Sequence, residues 1–186
     1  MGMVFRYWSS FVLCALFWSS SAAQNTELLK QAEEGDALAQ LSLGLIYLEG
    51  KEVPQDNVYA LLWFRRSAEQ GLRDAQFFCG QMYVLGNGVA VDYAEAFRWY
   101  ELAANQGLAR AHHALGLMYE NGLGVPENNI ESYARYFFAA VSGFKQAERE
   151  KENLRRLMTE EELASAMVRS NAIWEEFMLI KQIQHH

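Results

Sequence analysis

Gly35, Gly71, Gly107 and Gly143 stand 36 residues apart each time, and the residues around them repeat in register. A fixed period of this length means that one small unit is copied and stacked, each copy contacting its neighbours. Such a chain has no single irregular core. Stacked repeats present long continuous surfaces, so the spacing points toward binding another macromolecule and away from catalysis.

The copies read Gln31-Ala32-Glu33-Glu34-Gly35, Ser67-Ala68-Glu69-Gln70-Gly71 and Ala103-Ala104-Asn105-Gln106-Gly107. A fourth opens at Val141-Ser142-Gly143 and then diverges. Each copy contains two helical patterns. The first spans 37–49, 73–85 and 109–121, with Ala39, Leu43, Ile46 and Tyr47 at helical spacing. Gly44, Gly80 and Gly116 share one mid-helix position. Glycine there costs about 1 kcal/mol against alanine, and close approach of a second helix backbone is the expected compensation. Gly50, Gly86 and Gly122 fall at the helix ends, and Asp56, Asp92 and Asn128 at the N-cap of the second helix. Glu95 and Glu131, three residues on, predict a capping box in two units.

The second helices carry Trp63-Phe64, Trp99-Tyr100 and Arg135-Tyr136, whose aromatics fill the space between stacked pairs. Three positions depart from the pattern. Glu52 replaces the second glycine of the turn, Arg135 replaces tryptophan, and Glu152 stands where Gly44 is expected. After the repeats, Thr159-Glu160-Glu161-Glu162 reads as a capping box opening a last helix. Leu163, Met167, Ser170, Trp174, Phe177 and Met178 are predicted to lie along one face of it. That helix is expected to shield the open end of the stack, the alternative being a docking or dimer surface around Trp174 and Phe177.

The string Ala68-Glu69-Gln70-Gly71, Ala75-Gln76, Met82-Tyr83, Gly86-x-Gly88-Val89, Asp92-Tyr93, Ala96 and Trp99-Tyr100 resembles the Sel-1-like repeat, a relative of the tetratricopeptide repeat. Ala111, Leu115-Gly116-Leu117-Met118-Tyr119, Gly122-x-Gly124-Val125-Pro126 and Ala139-Ala140 match equally. The resemblance covers about residues 31–147, and Met158-Thr159-Glu160-Glu161-Glu162-Leu163-Ala164 is similar to a tail that closes bacterial members. It implies an all-α fold, a right-handed α/α superhelix of helix pairs with a C-terminal capping helix. Repeats are expected at 31–66, 67–102 and 103–138 within a region spanning 24–147, a degenerate fourth begins at 139, and capping helices occupy 148–186. The resemblance also implies adaptor roles in envelope assembly, regulation of cell-wall enzymes, signalling or host interaction. Some disulfide-rich relatives are linked to β-lactam hydrolysis, but this chain has only Cys14 and Cys79.

Residues 1–23 differ in kind. Arg6 is their single charge, Phe11 to Trp18 is an apolar block, and Ser21 and Ala23 sit at the −3 and −1 positions of a cleavage site. This is the layout of a signal peptide cut after Ala23, predicting a periplasmic or secreted protein with no membrane span left after cleavage. The block is short of the roughly 20 apolar residues that cross a bilayer. Cys14 leaves with it, and Cys79 remains as a buried small residue or an intermolecular link. The formal charge of −7 and the lack of a basic stripe exclude a nucleic-acid partner.

Little points to chemistry. Glu33-Glu34, Glu160-Glu161-Glu162 and Glu175-Glu176 are adjacent, so their side chains diverge on a helix. His112-His113 is likewise a poor pair of ligands for one metal, and His185-His186 is a chain end. No catalytic residue, metal ligand or cofactor is assigned. A partner site is expected where the first helices vary between copies: Ser42 and Leu45; Asp74, Phe78 and Gln81; Arg110, His113 and Leu117. These faces line the inner curve of a right-handed helix-pair array, where related repeats bind peptides. Leu41, Leu45 and Phe77 are equally consistent with packing between repeats. The reading is therefore an exported adaptor whose concave face holds another protein or peptide. Glycan binding through Trp63, Trp99 and Trp174 is the second reading, and a cell-wall or β-lactam hydrolase the third. Oligomeric state stays open.

Overall fold

A computed structural model describes residues 26–51 and 53–184. All regular elements among them are α-helices. A helical segment over residues 26–33 (α1) leads into α2 (Ala37–Glu49), α3 (Asn57–Glu69), α4 (Arg73–Leu85), α5 (Tyr93–Asn105), α6 (Ala109–Asn121) and α7 (Asn129–Val141). Then come α8 (Lys145–Arg155) and a final α9 (Glu160–Gln184). Helices α2 to α7 are 13 residues each, and the bounds of α2, α4 and α6 coincide with the sequence expectation. Within a repeat α2 packs on α3, α4 on α5 and α6 on α7; between repeats α3 meets α4 and α5 meets α6. The result is an α/α solenoid. The predicted signal segment, Glu52 and His185-His186 lie outside the described residues.

Helix limits follow from local chemistry. The carboxylate of Asp56 accepts from the N–H groups of Val58 and Tyr59, that of Asp92 from Glu95, and the Asn128 carbonyl from Glu131. Each satisfies donors that the first turn leaves free. The boxes expected at Glu95 and Glu131 are only half made, because Glu95 turns to Arg98 and Glu131 to Arg169. Thr159 and Glu162 do form the reciprocal pair, with the Thr159 N–H donating to Glu162 and the Glu162 N–H to the Thr159 hydroxyl. Helices α2, α4 and α6 end on Gly50, Gly86 and Gly122 at φ of 67°, 69° and 63°, a region costly for any residue with a Cβ.

The mid-helix glycines are explained differently from the expectation. A Cβ at Gly44 would overlap the ring of Phe64, one at Gly80 the ring of Tyr100, and one at Gly116 the ring of Tyr136. It is thus an aromatic ring of the partner helix, 20 residues on, that fills the space, and not a second backbone. The fourth copy loses both halves of this device together. Glu152 replaces the glycine and Ala172 occupies the ring position. Small residues run through the repeat interfaces as well, with Ala60, Ala75, Ala96, Ala103 and Ala111 fully buried.

Helix α1 behaves as the end of a preceding second helix. Ala32 is buried against Ala39, Leu43 and Trp63, in the position that Ala68 and Ala104 take in later copies. At the other end α7 packs against both α8 and α9. Helix α9 lies on α7 through Ala166, Ser170 and Ile173, which are 0%, 2% and 3% exposed. Leu163, Phe177 and Ile180 continue this line as half-buried residues. Met167, Trp174 and Met178, expected on the same face, are exposed. The buried line is therefore turned from the one expected, since Ala166 and Ile173 let α9 settle close to Ala134 and Phe138 of α7.

Candidate functional site

The variable residues of the first helices meet across repeat boundaries. Arg110 on α6 forms an ion pair with Asp74 on α4, at the same position one repeat earlier. Its guanidinium lies over two rings, 4.5 Å from the Phe77 centroid and 5.3 Å from that of Phe78. Such a stack contributes about 0.5–1 kcal/mol when exposed and more when desolvated. Phe78 in turn stacks on Phe64 with centroids 5.0 Å apart. One repeat on, His113 is hydrogen-bonded to Glu150 of α8 and tilted against Phe144 at 4.8 Å.

The expected residues therefore divide. Asp74, Phe78, Arg110 and His113 are tied into inter-repeat contacts. Leu45 packs partly against the main core and Leu117 against the second. The Ser42 hydroxyl donates to Leu38 O of its own helix at 2.8 Å. Gln81 is half-buried and has no hydrogen bond of its side chain among the described residues. Phe77, for which packing was the other expectation, is 9% exposed and belongs to the core. Glu150, the partner of His113, is not among the expected residues. It lies 37 residues away, and no local spacing announces it.

A second polar line runs along the repeat boundaries. Gln40 Nε2 donates to Ala32 O at 2.9 Å and Gln76 Nε2 to Ala68 O at 3.2 Å. Their side-chain oxygens accept from Gln70 and Gln106 of the next copy, both at 2.8 Å. At the third boundary the residue is His112, whose Nε2 lies 3.0 Å from Ala104 O. A carbonyl only accepts, so Nε2 carries the proton and Nδ1 is left as an acceptor. His112 stacks on Phe138 with centroids 3.9 Å apart. Burial first, and the Arg135 charge second, lower its pKa from the ordinary 6.5 to about 3, against the opposing bond to Ala104.

The sign of the pH effect follows. The unfolded chain protonates this histidine near pH 6.5 while the folded chain refuses the proton down to about 3, so acid favours unfolding through that window. The slope is at most about 1.4 kcal/mol per pH unit. Between pH 7 and pH 5 a His112→Gln variant should lose less stability in urea than the unaltered protein, by roughly 1–2 kcal/mol. Equal losses would mean that His112 does not titrate as a buried neutral group.

The arrangement offers little for catalysis. Burial pushes the Cys79 thiol up to about 12, so it is a packed apolar group and a poor nucleophile. Burial and the bond to Glu120 raise the Tyr136 hydroxyl too. Among the described residues no cluster of three His, Cys, Asp or Glu side chains forms a metal site. Ser142-Gly143-Phe144-Lys145 has Ser-x-x-Lys spacing, against the expectation that the chain carries no such motif. Ser142 ends α7, Lys145 begins α8, and both are exposed, so they do not share one buried helix start.

The Sel1 repeat family model matches residues 37–72, 73–108 and 109–140, together more than half of the chain. The chain belongs to the Sel1 repeat family. The Sel1 register starts each unit at the first helix, six residues after the expected repeat boundaries; the period is the same. Sel1-repeat proteins typically mediate protein–protein interaction and are generally non-catalytic scaffolds. A segment of 44 residues is 52% identical to the secretory immunoglobulin A-binding protein EsiB of Escherichia coli O6:H1, covering 23% of this chain and 9% of that relative. A crystal structure of a protective antigen from uropathogenic Escherichia coli, displaying an SLR fold, superposes with a TM-score of 0.77 at 31% identity. The match covers 82% of this chain and 33% of that one. A Sel1 repeat protein from Oxalobacter formigenes superposes at 0.63 with 37% identity, over 69% of this chain and 96% of the other. The chain thus spans only a small part of the first two relatives.

Proposed function

We propose that this Sel1-repeat chain is an exported adaptor that holds another protein or peptide on the faces of α2, α4 and α6, the concave side of the array. The observation that carries this reading is Arg110, held by Asp74 over Phe77 and Phe78. A guanidinium and a half-buried ring, Phe78, fixed before binding lose little side-chain entropy when a partner arrives. Arg and aromatic anchors are also the residue types that dominate interface energies. Ser42, Leu45, Gln81, His113 and Leu117 extend the stripe along the repeats. Export rests on the composition of residues 1–23, and among the described residues no helix is long and apolar enough to cross a membrane. The destination is the periplasm or the exterior. EsiB, named for binding secretory immunoglobulin A, supports the interaction class.

The glycan reading weakens because Trp63 is 5% exposed and Trp99 is half-buried, leaving Trp174 as the accessible tryptophan of the three. A photo-crosslinking side chain at Gln81 or Leu117 tests the proposal against the same group at Glu69, which is exposed on α3. Protein adducts from envelope extract are expected at 81 and 117 and not at 69. Adducts at 69 alone would move the partner to the second helices. Thermal melts by circular dichroism confirm that each variant is folded. Phe78→Ala is a poorer probe, because the ring packs on Phe64 and its loss disturbs the fold.

A further inference from the structure

The third repeat boundary breaks the pattern of the first two at three positions together. Gln becomes His112, the donor Gln of the next copy becomes Ser142, and Trp becomes Arg135. The consequence is an orphaned nitrogen on His112; the N–H at the third position makes no hydrogen bond in any copy, Trp63 Nε1 and Trp99 Nε1 included. His112 Nδ1 has no hydrogen-bond partner, whereas Gln40 and Gln76 present an oxygen there that accepts from Gln70 and Gln106. Arg135 Nε makes no hydrogen bond but forms an ion pair at 4.0 Å with Glu131 Oε2, whose other oxygen is taken by Arg169 at 2.6 Å. His112 and Arg135 are 2% and 6% exposed. Leaving the His112 nitrogen unmatched costs free energy that the matched Gln40 and Gln76 avoid.

Both residues line one cavity of about 300 Å³ beneath the second half of α9. The opposite wall is apolar, formed by Ile173, Phe177 and Ile180. Glu176 on the rim lies 3.3 Å from Arg169, which it shares with Glu131, so the charges of Arg135 and Arg169 balance those of the two carboxylates. The cavity shares no residue with the stripe of α2, α4 and α6.

We propose that this cavity binds an N-acylated amino acid with an apolar side chain, either as a free molecule or as the carboxyl-terminal residue of a peptide. The Arg135 guanidinium takes the carboxylate, His112 Nδ1 accepts the amide N–H, and Ile173, Phe177 and Ile180 cover the side chain. A planar donor fork beside an acceptor selects an anion and an N–H together, which neither a simple fatty acid nor an amine supplies.

Titration calorimetry on the full chain tests this with four probes: N-acetyl-leucine, its amide, and a tetrapeptide ending in leucine with a free or an amidated terminus. Saturable binding of the acids, at least about tenfold tighter than their amides, is expected. The tighter of the two acids identifies the source. Arg135→Met should abolish that preference while keeping the apolar contacts. Equal binding of acid and amide, or no binding below ~10 mM to the unaltered protein, would overturn the proposal. In the second case the cavity holds water only.

Discussion

Gly44→Ala should destabilise the protein by about 1–3 kcal/mol, although alanine is the better helix former by about 1 kcal/mol. The Phe64 ring occupies the space that the new methyl needs, and Phe64 is fully buried. Phe64 cannot swing away, because it is stacked on Phe78. Phe64→Ala alone should cost about 3–5 kcal/mol through lost burial and the cavity left behind. The decisive comparison is the pair. In the Phe64→Ala background the methyl has room, and Gly44→Ala should become stabilising by up to about 1 kcal/mol. Urea denaturation of the four proteins reads this directly. If Gly44→Ala is destabilising in both backgrounds, the glycine serves the backbone and not the ring.

Ile173→Ala should cost about 2–5 kcal/mol, whereas Met167→Ala should stay within about 0.5 kcal/mol. Ile173 is 3% exposed and packs with Ala134 and Phe138, while Met167 is 55% exposed. The sequence pattern predicts the opposite order, because it places Met167 in the buried line. Thermal and urea unfolding of the two variants separate the alternatives, and a larger loss at Met167 would return α9 to the orientation expected from its large side chains.

The two cases show where a single chain is readable. Helix limits come from short-range chemistry, so Asp56, Asp92, Asn128 and the Thr159–Glu162 pair are visible as caps in the amino-acid order alone. The period of 36 carries the stacking for the same reason. Helix α9 is harder, since apolar residues surround it: Val168, Met178, Leu179 and Ile183 are exposed while Ala166 and Ile173 are buried. A helix apolar on most sides gives no clear face, and the smaller side chains win because α7 approaches closely.

The candidate site is legible as positions and not as contacts. The variable residues Asp74, Phe78 and Arg110 stand out when the repeats are aligned on one another. That Arg110 bridges to Asp74 and covers two rings depends on how one repeat turns against the next. The same holds for His113 with Glu150 and for Glu131 with Arg169, pairs 37 and 38 residues apart. Arg135 is visible as a departure, but its meaning needs α9, which comes from beyond the repeats and forms the far wall of the cavity.

The molecule is a stack of equivalent units coupled to their neighbours. Removing residues 73–108 joins Leu72 to Ala109 and takes out one whole period; removing 73–90 takes out half of one. Circular dichroism during thermal unfolding should show that the first variant keeps its helical content per residue and one cooperative transition at a lower temperature, while the second loses both. Loss of cooperative folding in the whole-period variant, matching that of the half-period variant, would contradict the account.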